Sequence, residues 1–226
     1  MMILLMAAVL PALLLLVLVY KQDKIEKEPP GLLVKLFLLG MLSCLPAMLL
    51  ESLGTAIFGD ADGFVPPLLD AFIVVALVEE GCKLVLLRLG SWRHPAFNYR
   101  FDGLLYAVCV GVGFAALENI LYVFDFGLGI AFTRALTAIP AHTTFAVCMG
   151  VFYAAARDAA HDGVPARSRR MMWLALIVPT LLHGFYDYCL MAGSSALSII
   201  FFIFIVILDI IAIRLVRKKS RGDEPL

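Results

Sequence analysis

The sequence has little charge. Only 16% of its 226 residues are Asp, Glu, Lys or Arg, and 18 basic residues balance 18 acidic ones. That balance excludes the broad basic field of a nucleic-acid binder. Cysteine is scarce and unpatterned. Cys44, Cys82, Cys109, Cys148 and Cys189 all fall in apolar runs without CxxC spacing, so neither a disulfide framework nor a thiolate metal site is expected. There is no internal repeat, no low-complexity tail and no linker long enough to separate domains. What the chain has in abundance is apolar surface: 62% of its residues are hydrophobic, and the mean hydropathy is +0.96. Soluble domains carry about a quarter charged residues, so this composition calls for a lipid bilayer as solvent.

Seven hydrophobic tracts approach the ~20 residues a helix needs to cross a bilayer. They run from Met2 to Tyr20, Leu32 to Phe58, Pro67 to Leu89, Gly103 to Phe124, Ala131 to Ala156, Met171 to Met191 and Ala196 to Val216. The first has no cationic leader and no small-x-small site, which favours a span over a cleaved signal peptide. The expected fold is an all-α polytopic bundle of about seven transmembrane helices, one integral membrane domain over 1–226 whose functional core is expected at about 67–191. Lys and Arg alternate between connections. Lys21, Lys24 and Lys27 follow the first tract, Arg88, Arg93 and Arg100 surround the third link, Arg157 to Arg170 flank the fifth, and Arg214 to Arg221 close the chain. The intervening "GDADGFVPP", "DFGLG" and "AGSSA" have none. By the positive-inside rule the N-terminus lies outside and the C-terminus in the cytoplasm.

No connection is large enough to carry a function, so chemistry must live in the spans. An ionisable side chain near the bilayer centre costs about 2.5–3.5 kcal/mol on insertion scales and persists when it faces the bundle interior with partners. Four consecutive tracts carry such groups: Glu79, Glu80 and Lys83; then Glu118 and Asn119; then His142; then His183 and Asp187. Glu79 and Lys83 are spaced i,i+4 and Glu80 and Lys83 i,i+3, so lysine can meet either acid on one helix face. The two glutamates point about 100° apart, which suits one to a cavity and the other to support. His183 and Asp187 are also i,i+4, letting the carboxylate orient the imidazole. Pro140 and Pro179 are placed to kink the helices that carry the histidines. The small residues of "GVGFAA" before Glu118 admit a close helix neighbour. Asp70, Arg134 and Glu51 fall near outer helix ends, where snorkelling or mutual pairing suffices. Asp209 is the only acid of the last tract and has no evident role.

Carboxylates and imidazoles in an apolar bundle suit water activation. A buried carboxylate serves as general base, and histidines donate to an oxyanion or bind a metal. The HExxH pattern is absent and no serine or cysteine pairs with either histidine as a nucleophile. The motifs "EEGCK" (EExxK), "FAALEN" (FxxxEN), "HTTFAVCMG" (HxxxxxxxG) and "HGFYD" succeed one another from Leu77 to Asp187, roughly half the chain. This series resembles the PrsW-type intramembrane proteases, relatives of the CAAX prenyl and bacteriocin-processing membrane proteases. The resemblance implies cleavage of a membrane-anchored, single-span protein in a bacterial cytoplasmic membrane, the substrate being an anti-sigma factor clipped on its extracytoplasmic side. It implies Glu79, Glu80, Glu118, His142 and His183 as catalytic residues and Lys83, Asn119 and Asp187 as supports. No metal is required by this reading, which slightly favours glutamate-activated water. Glu118, His142 and His183 are the ligand candidates if zinc takes part. An ion-coupled transporter and a non-catalytic membrane scaffold are the competing classes. The first is disfavoured by the lack of an inverted repeat, and the second predicts that the polar groups matter for assembly alone.

Overall fold

The computed structural model describes residues 2–58, 67–192 and 194–226, and these are helical almost throughout. The helices are α1 (Met2–Tyr20), α2 (Pro30–Phe58), the single turn α3 (Pro67–Leu69), α4 (Leu77–Ser91), α5 (Arg100–Phe126), α6 (Leu128–Leu136), α7 (Ala138–His161), α8 (Pro165–Met191) and α9 (Ser195–Arg221). A π-helical segment, Asp70–Ala76, joins α3 to α4. Among the described residues there is no strand, only an isolated bridge between Tyr99 and Pro225. The link "GDADGFVPP" lies almost wholly outside the described residues, as does Gly193 of "AGSSA".

Six helical stretches are long and apolar enough to cross a membrane: Met2–Tyr20, Pro30–Ile57, Arg100–Phe126, Leu128–His161, Pro165–Met191 and Ser195–Arg221. The seventh expected span, Pro67–Leu89, is continuous helix, but Asp70, Glu79, Glu80, Lys83 and Arg88 make it too polar to qualify. Glu79, Glu80 and Lys83 are turned into the bundle, while Leu68, Ile73, Val85 and Leu89 face outward. The fifth tract is divided. Gly127 takes φ +81, which only glycine adopts without strain, and starts the nine-residue α6. Thr137 then leaves the helical region and α7 begins. Pro140 consequently sits in the first turn of α7, where a missing N–H costs nothing, and does not kink a span as expected. Pro179 lies within α8.

Helix α5 is the axis of the bundle and is buried along most of its length, whereas α1 and α9 turn their Leu, Ile and Phe side chains outward. Such an apolar exterior is what lipid requires, and the protein is integral to a membrane. Close approach to α5 depends on glycine. A Cβ on Gly113 would stand 2.1 Å from the Phe37 carbonyl oxygen of α2, and one on Gly40 2.1 Å from that of Val110. A Cβ on Gly111 would stand 2.5 Å from Ala146 of α7. The expectation from "GVGFAA" is met at this crossing.

The Lys- and Arg-rich connections gather at one end. Asn98 donates to Glu26 at 3.2 Å, Arg100 pairs with Glu224 at 2.5 Å and Asp158 at 3.3 Å, and Leu226 N–H reaches the Asn98 carbonyl at 2.7 Å. Asp102, in the first turn of α5, accepts from the backbone N–H groups of Tyr99 (2.6 Å) and Asn98 (3.0 Å) and so caps the helix. Glu28, buried beside Tyr106, has its carboxyl pushed above the usual range by loss of water.

Candidate active site

The polar groups of four helices meet around Lys83. Its ammonium lies 3.0 Å from Glu79 Oε2, 2.7 Å from Glu80 Oε1 and 3.2 Å from His142 Nδ1, and 3.9 Å above the Phe114 ring. An ammonium has three protons, and each has a partner here. Glu80 Oε1 also meets His183 Nδ1 at 3.0 Å, while Glu79 Oε2 stands 3.9 Å from that nitrogen. Glu79, Glu80, Lys83, His142 and His183 are all buried.

The local backbone explains the convergence. Just before the glutamates the chain runs as a π-helix, with Leu77 N–H bonded to the Phe72 carbonyl five residues back. This insertion turns α4 relative to the turn above it, a device common at functional sites. It also sets Phe72 against Gly184, where any Cβ would meet the ring at 2.5 Å, so α8 approaches closely beside His183. Phe145 of α7 stacks on His183 with centroids 4.9 Å apart and 22° between planes, and stands edge-on to His142 at 6.0 Å.

Each imidazole turns Nδ1 toward the Lys83 cluster and Nε2 toward a carboxylate behind it. His142 Nε2 lies 3.0 Å from Glu118 Oε2, and His183 Nε2 lies 3.2 Å from Asp187 Oδ2. The second contact is an ion-pair approach off the line of the N–H, since Asp187 Oδ2 has no aligned donor among the described residues. Glu118 and Asp187 are thus brought to the two histidines, and the anticipated approach of Asp187 to His183 is present.

Arg134 belongs to this assembly, though the sequence placed it among residues that merely snorkel. Helix α6 folds back over the C-terminal end of α5, so that Arg134 Nη2 donates to Glu118 Oε2 at 2.6 Å and Nε to Asn119 Oδ1 at 3.0 Å, with the guanidinium 3.9 Å over Tyr122. Asn119 passes the chain of bonds to the Ala8 carbonyl of α1 at 2.8 Å. The missed signal was the Gly127 that lets the chain reverse. Asp209, left without a role, accepts from Thr144 at 3.2 Å, away from this centre.

A cavity of about 840 Å³ leads to the cluster from the end opposite the basic connections. Glu79, Glu118, Arg134, His142, His183 and Asp187 all line it, and Glu51, Asp125 and Met191 stand nearer its mouth. Glu80 does not line it. Of the two adjacent glutamates, then, Glu79 faces the space and Glu80 is set behind it with Lys83.

One donor atom from each of Glu79, Glu80, His142 and His183 lies within 4.8 Å of the others. Two imidazole nitrogens and two carboxylate oxygens form a donor set that suits a divalent cation such as zinc. Glu80 Oε2 is buried without a hydrogen-bond partner, so the set has a donor to spare. Glu118, a ligand candidate in the sequence, is not in this group. It backs His142 instead.

A family model described as PrsW family intramembrane metalloprotease matches residues 28–212. Protease PrsW of Oceanobacillus iheyensis is 33% identical over 216 residues, covering 96% of this chain and 95% of its own. Protease PrsW of Halalkalibacterium halodurans is 33% identical over 223 residues (97% and 98%), and that of Bacillus subtilis 34% over 192 (84% and 83%). No solved structure matches the chain. A buried ring of carboxylates and imidazoles at the foot of a membrane cavity, on a chain matched over most of its length by these proteases, has one consistent reading: the chain belongs to the PrsW family of intramembrane proteases.

Proposed function

We propose that the chain is an endopeptidase that cuts a single-span membrane protein on its extracytoplasmic side, with Glu79 as the base that activates water. The catalytic core is about 67–191, the N-terminus lies outside and the C-terminus is cytoplasmic. The observation that carries this reading is the division of labour in EExxK. Glu79 is on the cavity wall, hydrogen-bonded to Lys83 alone and 3.9 Å from His183, whereas Glu80 is held between Lys83 and His183 at 2.7 and 3.0 Å. Glu79 takes a proton from water, the resulting hydroxide adds to the scissile carbonyl, and the same proton passes to the departing amine. The donor for the oxyanion on the same wall is the Arg134 guanidinium, which has N–H groups left over from Glu118 and Asn119, while His142 and His183, each engaged at both ring nitrogens, hold the carboxylates in place. The cavity opens away from the basic end, so under the positive-inside orientation it admits an extracytoplasmic segment. An anti-sigma factor with one span is the substrate that the resemblance suggests.

A second reading has a specific observation behind it. Both histidines present Nδ1 inward and back Nε2 with a carboxylate, the arrangement that fixes tautomer and raises basicity in histidine ligands. Glu79, Glu80, His142 and His183 would hold the ion, with Lys83 displaced from among them. A divalent cation there supplies Lewis acidity toward the carbonyl and a lower pKa for water. Glu118 and Asp187 then keep the imidazoles aligned.

The test is turnover of a single-span reporter in vesicles. Glu79→Gln lowers it by about 10²–10⁴, the usual share of a general base, while insertion and helical content are unchanged. Full turnover by Glu79→Gln refutes the assignment. Zinc in stoichiometric amount in the purified protein, lost in His142→Ala and His183→Ala, selects the second reading.

A further inference from the structure

Asp209, the one acid of α9, lies outside the active site and lines a separate groove of about 400 Å³. The groove has a floor from α7 (Thr143, Thr144, Val147) and walls from α1 and α9, including Leu18 and Ile213. Leu18 is 49% and Ile213 52% exposed, so the groove opens on the lipid-facing side of the bundle. Asp209 is half-buried, and its Oδ1 accepts from Thr144. Its other oxygen accepts no hydrogen bond from the described residues. Arg214 and Arg217 stand in the basic membrane face, and Arg217, which lines the end of this same groove, is eight residues further along α9 and ~12 Å away along the axis at ~1.5 Å per residue.

That depth decides the occupant. At ~12 Å below the basic face a phospholipid offers only hydrocarbon, which leaves a carboxylate unmatched and costly. A transmembrane helix can place a Lys or Arg side chain at the same level. We propose that this groove docks the membrane span of a partner protein that carries a basic side chain at the depth of Asp209, the acid and the base neutralising one another and the apolar walls packing its neighbours. Such a span lies against α7, the helix that carries His142. Docking is read without turnover, so it stands or falls separately from hydrolysis.

The experiment uses the full chain in phosphatidylcholine vesicles and a dye-labelled Leu/Ala host peptide of one span, bearing a single Lys ~12 Å below its interface. The control peptide has Leu there. Energy transfer to a dye on the protein gives the affinity. The Lys peptide binds about tenfold tighter than the Leu peptide, ~1.4 kcal/mol, within what interhelical polar contacts supply. Asp209→Asn brings the two within twofold of one another. Asp209→Lys reverses the preference, binding a Glu-bearing peptide above the Lys one, which guards against a variant that merely loses its fold. Equal binding of Lys and Leu peptides to the wild type overturns the proposal. So does displacement of the Lys peptide by phosphatidylethanolamine vesicles, which would make an ammonium lipid the occupant.

Discussion

Lys83→Met isolates the cation on which the site's geometry depends. The methionine keeps the apolar stem and removes the ammonium, which has three hydrogen-bonding contacts, at 3.0 Å, 2.7 Å and 3.2 Å, and one aromatic face at 3.9 Å. The lysine side chain is 3% exposed and the glutamates 6% and 1%, so water cannot take its place cheaply. Two carboxylates are then left side by side in a low dielectric, and removing one partner of a buried pair costs about 3–5 kcal/mol. Glu80 keeps its 3.0 Å contact with His183, whereas Glu79 keeps only a 3.9 Å approach to the same nitrogen. Lys83→Met/Glu80→Gln discards one of the stranded charges and is expected to recover about 1–3 kcal/mol, the coupling typical of residues in one network. Reversible unfolding in mixed micelles, followed by helical content, gives both numbers. If Lys83→Met lies within about 1 kcal/mol of the wild type, the ammonium does not organise the glutamates and the site must be rebuilt around another cation.

The glycines of the α5 crossing and of EExxK make opposite predictions under the same substitution. Gly113→Ala puts a methyl 2.1 Å from a backbone oxygen, and overpacking of this kind costs about 1–3 kcal/mol. Gly81→Ala has no atom within 4 Å and is expected to be neutral or to stabilise α4 by about 0.5–1 kcal/mol, both read by the same unfolding assay. For Arg134, loss of the 2.6 Å contact to Glu118 in Arg134→Gln leaves His142 less firmly oriented and lowers kcat about 10–100-fold, as with other outer partners of active-site histidines. Arg134→Lys restores the charge without the two-pronged geometry and recovers some of that loss.

What was legible in the sequence was what depends on composition and short spacing. The spans follow from hydropathy, and the meeting of Lys83 with Glu79 and Glu80 from i,i+4 and i,i+3 geometry. The closeness of α5 to its neighbours follows from Gly111 and Gly113. What required three dimensions was any contact set by a change of chain direction. Arg134 is sixteen residues from Glu118, and nothing in its neighbourhood distinguishes it from a snorkelling residue until Gly127 and Thr137 reverse the chain. The π-helical Asp70–Ala76 was equally hidden, since its residues, Val, Ile, Ala and Phe among them, have no signature for a five-residue bond step. Which glutamate faces the cavity depends on the rotation of α4 that this segment sets, and two adjacent acids in a helix leave it open. The sequence also offered Glu118 as a ligand candidate because it lies in the same motif series, whereas Glu79 and Glu80 are the acids grouped with the two histidines.

The charges of the site connect its two mechanistic readings. Groups linked by contacts under 4 Å comprise four acids, Glu79, Glu80, Glu118 and Asp187, and two permanent cations, Lys83 and Arg134. In their ordinary ionic forms these sum to −2, which a buried site can scarcely sustain. His142 Nδ1 accepts from Lys83, so that ring has one proton, at Nε2, where Glu118 accepts it. His183 has a carboxylate at each nitrogen and can hold a proton on both, which brings the sum to −1. A divalent cation compensates the acids with both Nδ1 atoms bare. The readings therefore differ by the proton at His183 Nδ1, and a ligand histidine must give up its proton on binding. Zinc binding to the site should release about one proton near neutral pH, measured by calorimetry in buffers of different ionisation enthalpy. His183→Gln should abolish the release. Zinc taken up without proton release would mean that His183 is already neutral in the metal-free protein.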